Sequence, residues 1–436
     1  MISRVQGVMN HHIAKNSVFL GLAAACRGLA EVVIIIVAIR ALGPGVGGQL
    51  IFGLAIIRLA QLASEAGLGI YLTREIPRAP GSAGTLTLEA LKAVVLIALP
   101  AGLLLTIVTA SVDPLTGALV AIGTLAVLFG AAQPILGAAF LAHDQAQWQL
   151  KNTAITAVTL IGGGVLVSFV SPSLLSFFAV VALARAAGTA VGLLDFIRVL
   201  APRVTLASLS ARRALVRSVP YALNGVGSFL YLRVDLLFLG VISGSVATGV
   251  YGGVADPMVS LTSMVFIITR SFLPSLSRAY GEDNRRFSSL VRSMVIINVC
   301  AGLALTIVVF IGSGWFVSLA FGGELEGAAP VLRVLSLAIV FRFFNSGLAT
   351  WLTASGRQWQ RTTAIMSGAA FNIVVIAIAI PIWGYWAAAW ATVATEFAIL
   401  AVLIWFLRAE LPLLSWGTRA DIVPATVTEG GDVRAD

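Results

Sequence analysis

Residues 25–49 read A-C-R-G-L-A-E-V-V-I-I-I-V-A-I-R-A-L-G-P-G-V-G-G-Q, an apolar run follows to Tyr71, and T-R-E-I-P-R ends the stretch at Arg78. About 20 mostly apolar residues are needed to cross the hydrocarbon core of a bilayer. Each side of the Gly/Pro turn at 43–48 reaches that length. The stretch therefore predicts two membrane-spanning helices joined by a tight turn.

Both predicted spans carry charges near mid-depth. Arg27 and Glu31 lie one helical turn apart in the first span, and Arg58 and Glu65 lie two turns apart in the second. A charge at the bilayer centre is costly, so such a residue normally faces a protein interior or a water-filled cavity. The pattern indicates a transport pathway.

The whole chain has the composition of an integral membrane protein. Of its 436 residues, 59% are hydrophobic and 11% are charged, whereas typical globular chains carry about 25% charge. The net charge of +9 lies mainly in short connections between apolar runs, where basic residues set membrane orientation. We therefore expect no nucleic-acid binding. We also expect no cleaved signal peptide, so that the first span directs insertion.

Hydropathy predicts an all-α polytopic membrane protein with twelve transmembrane helices. The predicted spans are 17–41, 47–72, 88–110, 115–141, 151–171, 174–197, 215–241, 247–273, 289–312, 328–352, 359–381 and 383–407. Most of the 28 basic residues fall in the connections on the side of the N-terminus. The positive-inside rule therefore places both termini in the cytoplasm.

The longest polar connection lies at the midpoint of the chain, with six spans on either side. This predicts two six-helix bundles of the same orientation, related as parallel repeats. A Gly-rich outer turn follows the first span of each half, at 42–53 and 239–253. The predicted units are an N-terminal bundle (1–200), a cytoplasmic linker (201–214), a C-terminal bundle (215–408) and a disordered cytoplasmic tail (409–436).

The sequence contains no recognisable enzymatic constellation. Residues 43–48 formally match G-x-G-x-x-G, but a dinucleotide site needs a strand before that motif and a helix after it. No G-x-x-x-x-G-K-[ST] phosphate loop is present. The three histidines lie at cytoplasmic edges, and the two cysteines lie inside spans without metal-ligand spacing. We expect neither an enzyme nor a bound metal or cofactor.

A set of charged residues lies within the predicted spans. They are Arg27, Arg58, Arg185, Arg233, Arg270, Arg342, Glu31, Glu65, Asp235, Asp256 and Glu396. Interhelical ion pairs that fix the bundle would explain individual members, whereas a hydrated cavity better explains the whole set. Arg233 and Asp235 are two residues apart and cannot share a helix face, so each should meet a partner on another helix. Guanidinium groups suit oxyanions because their planar fork binds two oxygens at once.

Several motifs carry a family resemblance. The first half has A-I-R-A-L-G-P-G-V-G-G (38–48) and G-L-G-I-Y-L-T-R-E-I (67–76). The second half has V-P-Y-A-L-N-G-V-G-S-F-L-Y-L-R-V-D-L-L-F-L-G (219–240), R-S-F-L-P-S-L-S-R (270–278) and L-T-A-S-G-R-Q (352–358). In order and spacing, over residues 15–408, the chain resembles the Wzx-like polysaccharide flippases of the multidrug/oligosaccharidyl-lipid/polysaccharide exporter superfamily.

The resemblance implies a MATE-like, two-bundle exporter in the bacterial cytoplasmic membrane. Its relatives move an undecaprenyl-diphosphate-linked oligosaccharide to the outer leaflet by alternating access. The implied partners are that lipid-linked oligosaccharide, membrane lipids, and polysaccharide polymerase and assembly proteins. The candidate residues for the diphosphate or an anionic glycan are Arg27, Arg58, Arg233, Arg270 and Arg342. The candidates for charge balance or for coupling to H⁺ or Na⁺ are Glu31, Glu65, Asp235, Asp256 and Glu396.

Two alternatives remain at the level of sequence. A cation-coupled multidrug exporter would share the architecture, but its cavity should be dominated by acids, whereas basic residues slightly outnumber acids here. A membrane scaffold that docks glycan-assembly enzymes would not need charges at mid-depth. We therefore favour a flippase for an anionic, lipid-linked substrate.

Overall fold

A computed structural model of the chain describes residues 2–200, 210–262, 265–325 and 327–410. These ranges are almost entirely helical and contain no β-strand. The helices are α1 (Ile2–Glu65), α2 (Leu68–Glu75), α3 (Ala83–Ala110), α4 (Pro114–Ala142), α5 (Ala146–Val170), α6 (Leu174–Leu200), α7 (Ala211–Ile242), α8 (Gly244–Thr262), α9 (Val265–Ala279), α10 (Asn284–Phe321), α11 (Ala328–Ala354), α12 (Gln358–Trp383) and α13 (Tyr385–Leu407). The prediction of an all-α membrane protein is confirmed.

Nine helices of the described part are long and apolar enough to cross a membrane. This number differs from the twelve predicted spans for two reasons. The first two predicted spans lie in the one helix α1, and α7, α8 and α9 are not among the nine. The predicted eighth span (247–273) falls on α8 and α9, between which residues 263–264 lie outside the described ranges. The count of twelve stays a prediction.

Helix α1 is a hairpin of two limbs, residues 2–42 and 44–65. The break is at Gly43, whose φ of 74° and ψ of 171° are not helical, and Pro44 follows it directly. Proline fixes its own φ and disfavours a helical conformation in the residue before it, so the dipeptide interrupts the helix there. The two limbs then lie side by side, since Glu31 and Arg58 are in contact although 27 positions apart in the sequence.

Short polar caps determine where several helices begin. Asp113 accepts hydrogen bonds from the backbone N–H groups of Leu115 (3.3 Å) and Thr116 (2.8 Å) at the start of α4. Asp283 caps α10 in the same way, through the N–H of Arg286 at 2.9 Å. Such side chains satisfy N–H groups that have no partner within the helix. These caps set the starts of α4, one residue before the predicted span, and of α10, five residues before the predicted span.

The buried apolar residues of the described ranges form three clusters. The largest cluster joins the two predicted halves, from Ala30 and Ile51 on α1 to Tyr251 on α8 and Ile339 on α11. The second lies among α2, α3, α4 and the start of α7, and the third among α9, α10, α11 and α13. The largest cluster thus packs the halves together at the end that holds the Gly43 turn, and the second cluster joins α2, α3 and α4 to α7.

The contact between α1 and α8 is a close approach of two backbones. A methyl group on Gly48 would overlap the carbonyl oxygen of Ser245, and one on Gly249 would overlap the carbonyl oxygen of Pro44. Only glycine allows two helices to come this near. Gly48 and Gly249 lie in the two Gly-rich turns that are predicted to be on the outer side of the membrane. The linker residues 201–209 and the tail residues 411–436 lie outside the described ranges, so the predicted division into two bundles, a linker and a tail stays a prediction.

We expect Gly48→Ala to destabilise the protein, because the added methyl group meets backbone that cannot rotate away. The cost should be about 1–3 kcal/mol, as for other overpacked interiors, and should appear as a lower melting temperature of the detergent-solubilised protein. Gly45→Ala is the matched control, since its added methyl group would lie 3.7 Å from a Val246 methyl, an ordinary contact. Equal melting temperatures for the two variants would contradict the close approach.

The predicted orientation can be tested by labelling engineered cysteines in a chain that carries Cys26→Ala and Cys300→Ala. Val112 precedes α4 on the predicted outer side and is 86% exposed, and Glu282 lies in the predicted cytoplasmic turn between α9 and α10. A membrane-impermeant maleimide added to whole cells should label Val112→Cys and spare Glu282→Cys. The opposite result would reverse the orientation.

Candidate functional site

A cavity of about 430 Å³ lies among α1, α4, α5 and α6 and is bounded on one side by α7. Its charged lining residues are Arg27, Glu31, Arg58, Glu65, Arg185 and Arg233. Three of the predicted arginines and two of the predicted glutamates therefore meet at one place. They are joined by Arg185, which the sequence marks as a charge within a span without assigning it to the site.

Helical spacing places these side chains on the cavity wall. Arg27 and Glu31 are four residues apart on the first limb of α1, and Arg58, Gln61 and Glu65 follow at helical spacing on the second. Residues three, four or seven apart lie on the same face of a helix. Because the hairpin brings the two limbs together, both polar faces line the same space.

An ion-pair network connects four of the charges in the order Glu31, Arg58, Asp256, Arg233. Arg58 Nη2 lies 3.1 Å from Glu31 Oε2, and Arg58 Nη1 lies 3.2 Å from Asp256 Oδ2. The same Asp256 carboxylate contacts Arg233. Only 16% of the Arg58 side chain and 3% of the Asp256 side chain are exposed. Burial makes such pairs consequential, because removal of one partner leaves an uncompensated charge in a medium of low dielectric constant.

Arg27 and Arg185 differ from the other two arginines of the cavity. Neither forms an ion pair within the described residues, although both line the cavity. Arg185 Nη1 donates a hydrogen bond of 3.2 Å to the carbonyl oxygen of Ala126, which also accepts one from Gln61 Nε2 at 3.1 Å. Gly130 leaves the space for both side chains, since a methyl group there would meet them. The cavity therefore presents two guanidinium groups that lack a carboxylate partner.

Glu65 lies where α1 ends and α2 begins. Ala66 and Gly67 have φ values of 48° and 72°, so the helix is interrupted. Glu65 Oε1 accepts a hydrogen bond of 2.8 Å from the N–H of Gly69, which satisfies an N–H group at the start of α2. This glutamate thus has a structural role in addition to its place on the cavity wall.

Arg342 and Glu396 lie in a separate cluster among α7, α11 and α13. Arg342 Nε donates to Glu396 Oε1 at 2.6 Å, and Asn345 Nδ2 donates to Glu396 Oε2 at 2.9 Å. Tyr231 also donates its hydroxyl proton to Glu396, and the guanidinium of Arg342 lies over its ring. Glu396 is therefore fully paired, and neither it nor Arg342 lines the arginine-rich cavity.

The two neighbouring charges on α7 have different partners on α8, as their spacing predicts. Arg233 contacts Asp256, and Asp235 accepts a hydrogen bond from the hydroxyl of Tyr251. Tyr251 in turn lies 3.1 Å from Thr392 Oγ1. Arg270, another predicted site residue, lies on α9, and its side chain is outside the described part of the structure.

The uncharged polar residues of the cavity wall were not among the residues predicted from the sequence. Gln61, Gln133, Thr153 and Thr156 contribute side chains there. The sequence contains a pattern that could have identified them. Thr153 and Thr156 share a helix face with other polar residues of an otherwise apolar span. The sequence-based prediction considered only charged residues within the spans. Amide and hydroxyl groups inside a membrane also require hydrogen-bond partners and can mark a cavity in the same way.

Comparison with known proteins adds a family and a fold. A family model described as polysaccharide biosynthesis protein matches residues 13–280. An uncharacterised membrane protein of Methanocaldococcus jannaschii is 27% identical over 206 residues, which are 46% of this chain and 41% of that protein. This chain thus matches about two fifths of the length of that curated relative.

Two solved structures share the fold at low sequence identity. One is the inward-facing conformation of a multidrug resistance MATE family transporter of the MOP superfamily, with a TM-score of 0.73, 13% identity, and coverage of 89% of this chain and 95% of that one. The other is the lipid II flippase MurJ in an inward closed conformation, with a TM-score of 0.72, 11% identity, and coverage of 92% and 90%. Together with the family match over more than half of its length, these likenesses establish that the chain belongs to the polysaccharide biosynthesis protein family and has the fold of MOP superfamily transporters.

Proposed function

We propose that the protein is a flippase that moves an undecaprenyl-diphosphate-linked oligosaccharide across the bacterial cytoplasmic membrane. The observation that carries the proposal is the cavity, in which four arginines face two glutamates and two of the arginines have no carboxylate partner among the described residues. A membrane interior tolerates such an excess of positive charge only where water or an anion compensates it. An anionic substrate is the natural occupant.

The chemistry of the diphosphate group matches this lining. Arginine stays charged when desolvated and binds phosphate oxygens through two parallel N–H groups. A volume of about 430 Å³ falls within the range of small-molecule sites and suits a diphosphate with its first sugar. The prenyl chain would remain among the lipid tails, because transfer of its hydrocarbon into a polar cavity is unfavourable.

Alternating access is the mechanism that the packing favours. The halves share their largest core cluster at the end that holds the Gly43 turn, whereas at the opposite end a smaller cluster joins α2, α3 and α4 to α7. At that opposite end Arg74 Nη1 donates to the hydroxyl of Tyr221 at 2.7 Å, a polar contact between α2 and α7. In our proposal this contact between α2 and α7 opens to admit substrate from the cytoplasm.

The ion-pair network offers a way to couple binding to movement. Arg58 belongs to the first half, whereas Arg233 and Asp256 belong to the second, so the network crosses between them. A bound diphosphate would compete with Asp256 for both guanidinium groups and weaken that connection. Glu65 has no ion pair among the described residues and lines the cavity. It is therefore our candidate for carrying a coupling H⁺ or binding Na⁺.

A multidrug exporter of the same superfamily is the main alternative, because a MATE transporter shares the fold. The cavity argues against it, since cationic drugs would meet an excess of guanidinium groups. A scaffold for glycan assembly is disfavoured by the same feature, because it has no need of an unpaired charge inside the membrane.

We expect the double variant Arg27→Ala/Arg185→Ala to lose transport while it remains folded, because neither arginine forms an ion pair with a carboxylate among the described residues. Loss of two charge-assisted contacts should reduce export by about tenfold or more. The measurement is complementation of a flippase-deficient bacterial strain that carries the cognate glycan pathway, read as surface polysaccharide. Arg198→Ala, on the exposed end of the same helix α6, is the matched control and should restore fully.

Full restoration by the double variant would show that these arginines do not bind substrate. Failure of the wild-type chain to restore polysaccharide, together with new resistance to cationic dyes, would favour the drug exporter instead. Expression of each variant in the membrane fraction must match that of the wild type.

We expect Asp256→Asn to lower the melting temperature of the purified protein, because two buried guanidinium groups lose their shared carboxylate. Removal of one partner of a buried ion pair typically costs about 3–5 kcal/mol. Glu75→Gln removes a carboxylate from the exposed Glu75–Arg78 pair and should cost less than about 1 kcal/mol. Similar melting temperatures for the two variants would mean that the network does not hold the halves together.

A further inference from the structure

A small space of about 20 Å³ opens beside the arginine-rich cavity, between α4, α5 and α6. We call it the amide recess. Its polar lining residues are Arg27, Gln133, Gln149, Asn152 and Thr153. Arg27, Gln133 and Thr153 also line the main cavity, so the two spaces are adjacent.

One face of α5 supplies most of the polar groups of the recess. Gln149, Asn152, Thr153 and Thr156 follow one another at spacings of three, one and three residues, which places them on a single helix face. Glycines on the facing helices make room for them. A methyl group on Gly137 of α4 would lie 3.0 Å from the Gln149 amide carbon, and one on Gly192 of α6 would lie 3.0 Å from Asn152 Nδ2.

Two side chains beside the recess, Gln133 and Thr156, are hydrogen-bonded to neighbouring groups. Gln133 Nε2 donates to Thr156 Oγ1 at 3.1 Å and to the carbonyl oxygen of Arg185 at 3.3 Å. Thr156 Oγ1 donates to the carbonyl oxygen of Asn152 at 3.0 Å. Asn152 Oδ1, in contrast, is buried and has no partner in the described part of the structure. Asn152 itself is only 9% exposed.

An unpaired buried amide oxygen requires a ligand that can donate a proton. Phosphate oxygens are acceptors and cannot supply it, whereas a hydroxyl group both donates and accepts. Buried polar groups that stay unpaired are costly, so the recess favours an occupant with a hydroxyl. The volume of about 20 Å³ accommodates one group of that size and not a sugar ring.

We propose that the amide recess binds a hydroxyl group of the sugar directly attached to the diphosphate, and that it contributes to the choice of glycan. The inference rests on the proposed function, since the diphosphate would lie in the main cavity. Arg27 borders both spaces, so a hydroxyl in the recess lies next to a phosphate held by that arginine. A site built to receive a hydroxyl discriminates strongly against an analogue that lacks it.

The test compares two probes on the full chain in lipid nanodiscs. The probes are undecaprenyl diphosphate and undecaprenyl diphosphoglucose, because glucose presents a hydroxyl or hydroxymethyl group at each free ring carbon. We expect the wild type to bind the glucose probe more tightly. Asn152→Leu and Gln149→Leu should each weaken binding of the glucose probe by about fivefold to tenfold and leave the sugar-free probe within about twofold.

Asn298→Leu is the matched control, because Asn298 on α10 is also buried with an unpaired Oδ1 and does not line either space. It should change neither affinity. If both α5 variants keep the wild-type preference for the glucose probe, the recess holds only water and the inference is wrong, while the proposed function stands. If the wild type binds neither probe, the proposed function fails and the inference fails with it.

Discussion

The cost of placing a guanidinium group in the hydrocarbon region governs this structure. Each arginine of the membrane interior must meet a carboxylate, a carbonyl oxygen, water or a ligand. Arg58 and Arg233 meet Asp256, Arg342 meets Glu396, and Arg185 meets a backbone carbonyl at Ala126. The kinked hairpin of α1 and the close approach of α8 bring Arg58 and Asp256 within reach of each other. Among the described residues, Arg27 and Arg185 remain without a carboxylate partner.

Two kinds of buried charge thus coexist in one fold. The Arg342–Glu396 cluster is closed by Tyr231 and Asn345, so it stabilises the second half without inviting a ligand. The charges of the first half surround an open volume instead. Because identical residue types serve both purposes, a charge within a span identifies a function only when its neighbours are known. Burial and pairing, taken together, separate structural charges from those available to a substrate.

Much of this organisation could be predicted from residue order alone. The helical class, the break at Gly43 and the separate partners of Arg233 and Asp235 follow from apolar runs, backbone preferences and the spacing of two residues on a helix. The pairing of Glu31 with Arg58 instead of its near neighbour Arg27 could not be predicted, since it depends on how two limbs pack. The separation of Arg342 from the other candidate arginines could not be predicted for the same reason. The position of a residue along its own helix does not reveal how far it lies from residues on other helices.

The interruption at Ala66–Gly67 has a mechanical consequence. Both residues are already left-handed, and Glu65 already supplies the acceptor that the first turn of α2 needs. Rotation about these two residues would leave the backbone hydrogen bonds of Ala66 to Leu62 and of Tyr71 to Gly67 intact, bonds whose loss costs several kcal/mol in a lipid environment. The change of direction between α1 and α2 is therefore confined to one point of the chain, where the Glu65–Gly69 hydrogen bond and the close packing of Gly67 against the backbone of Tyr221 and Ala222 hold it.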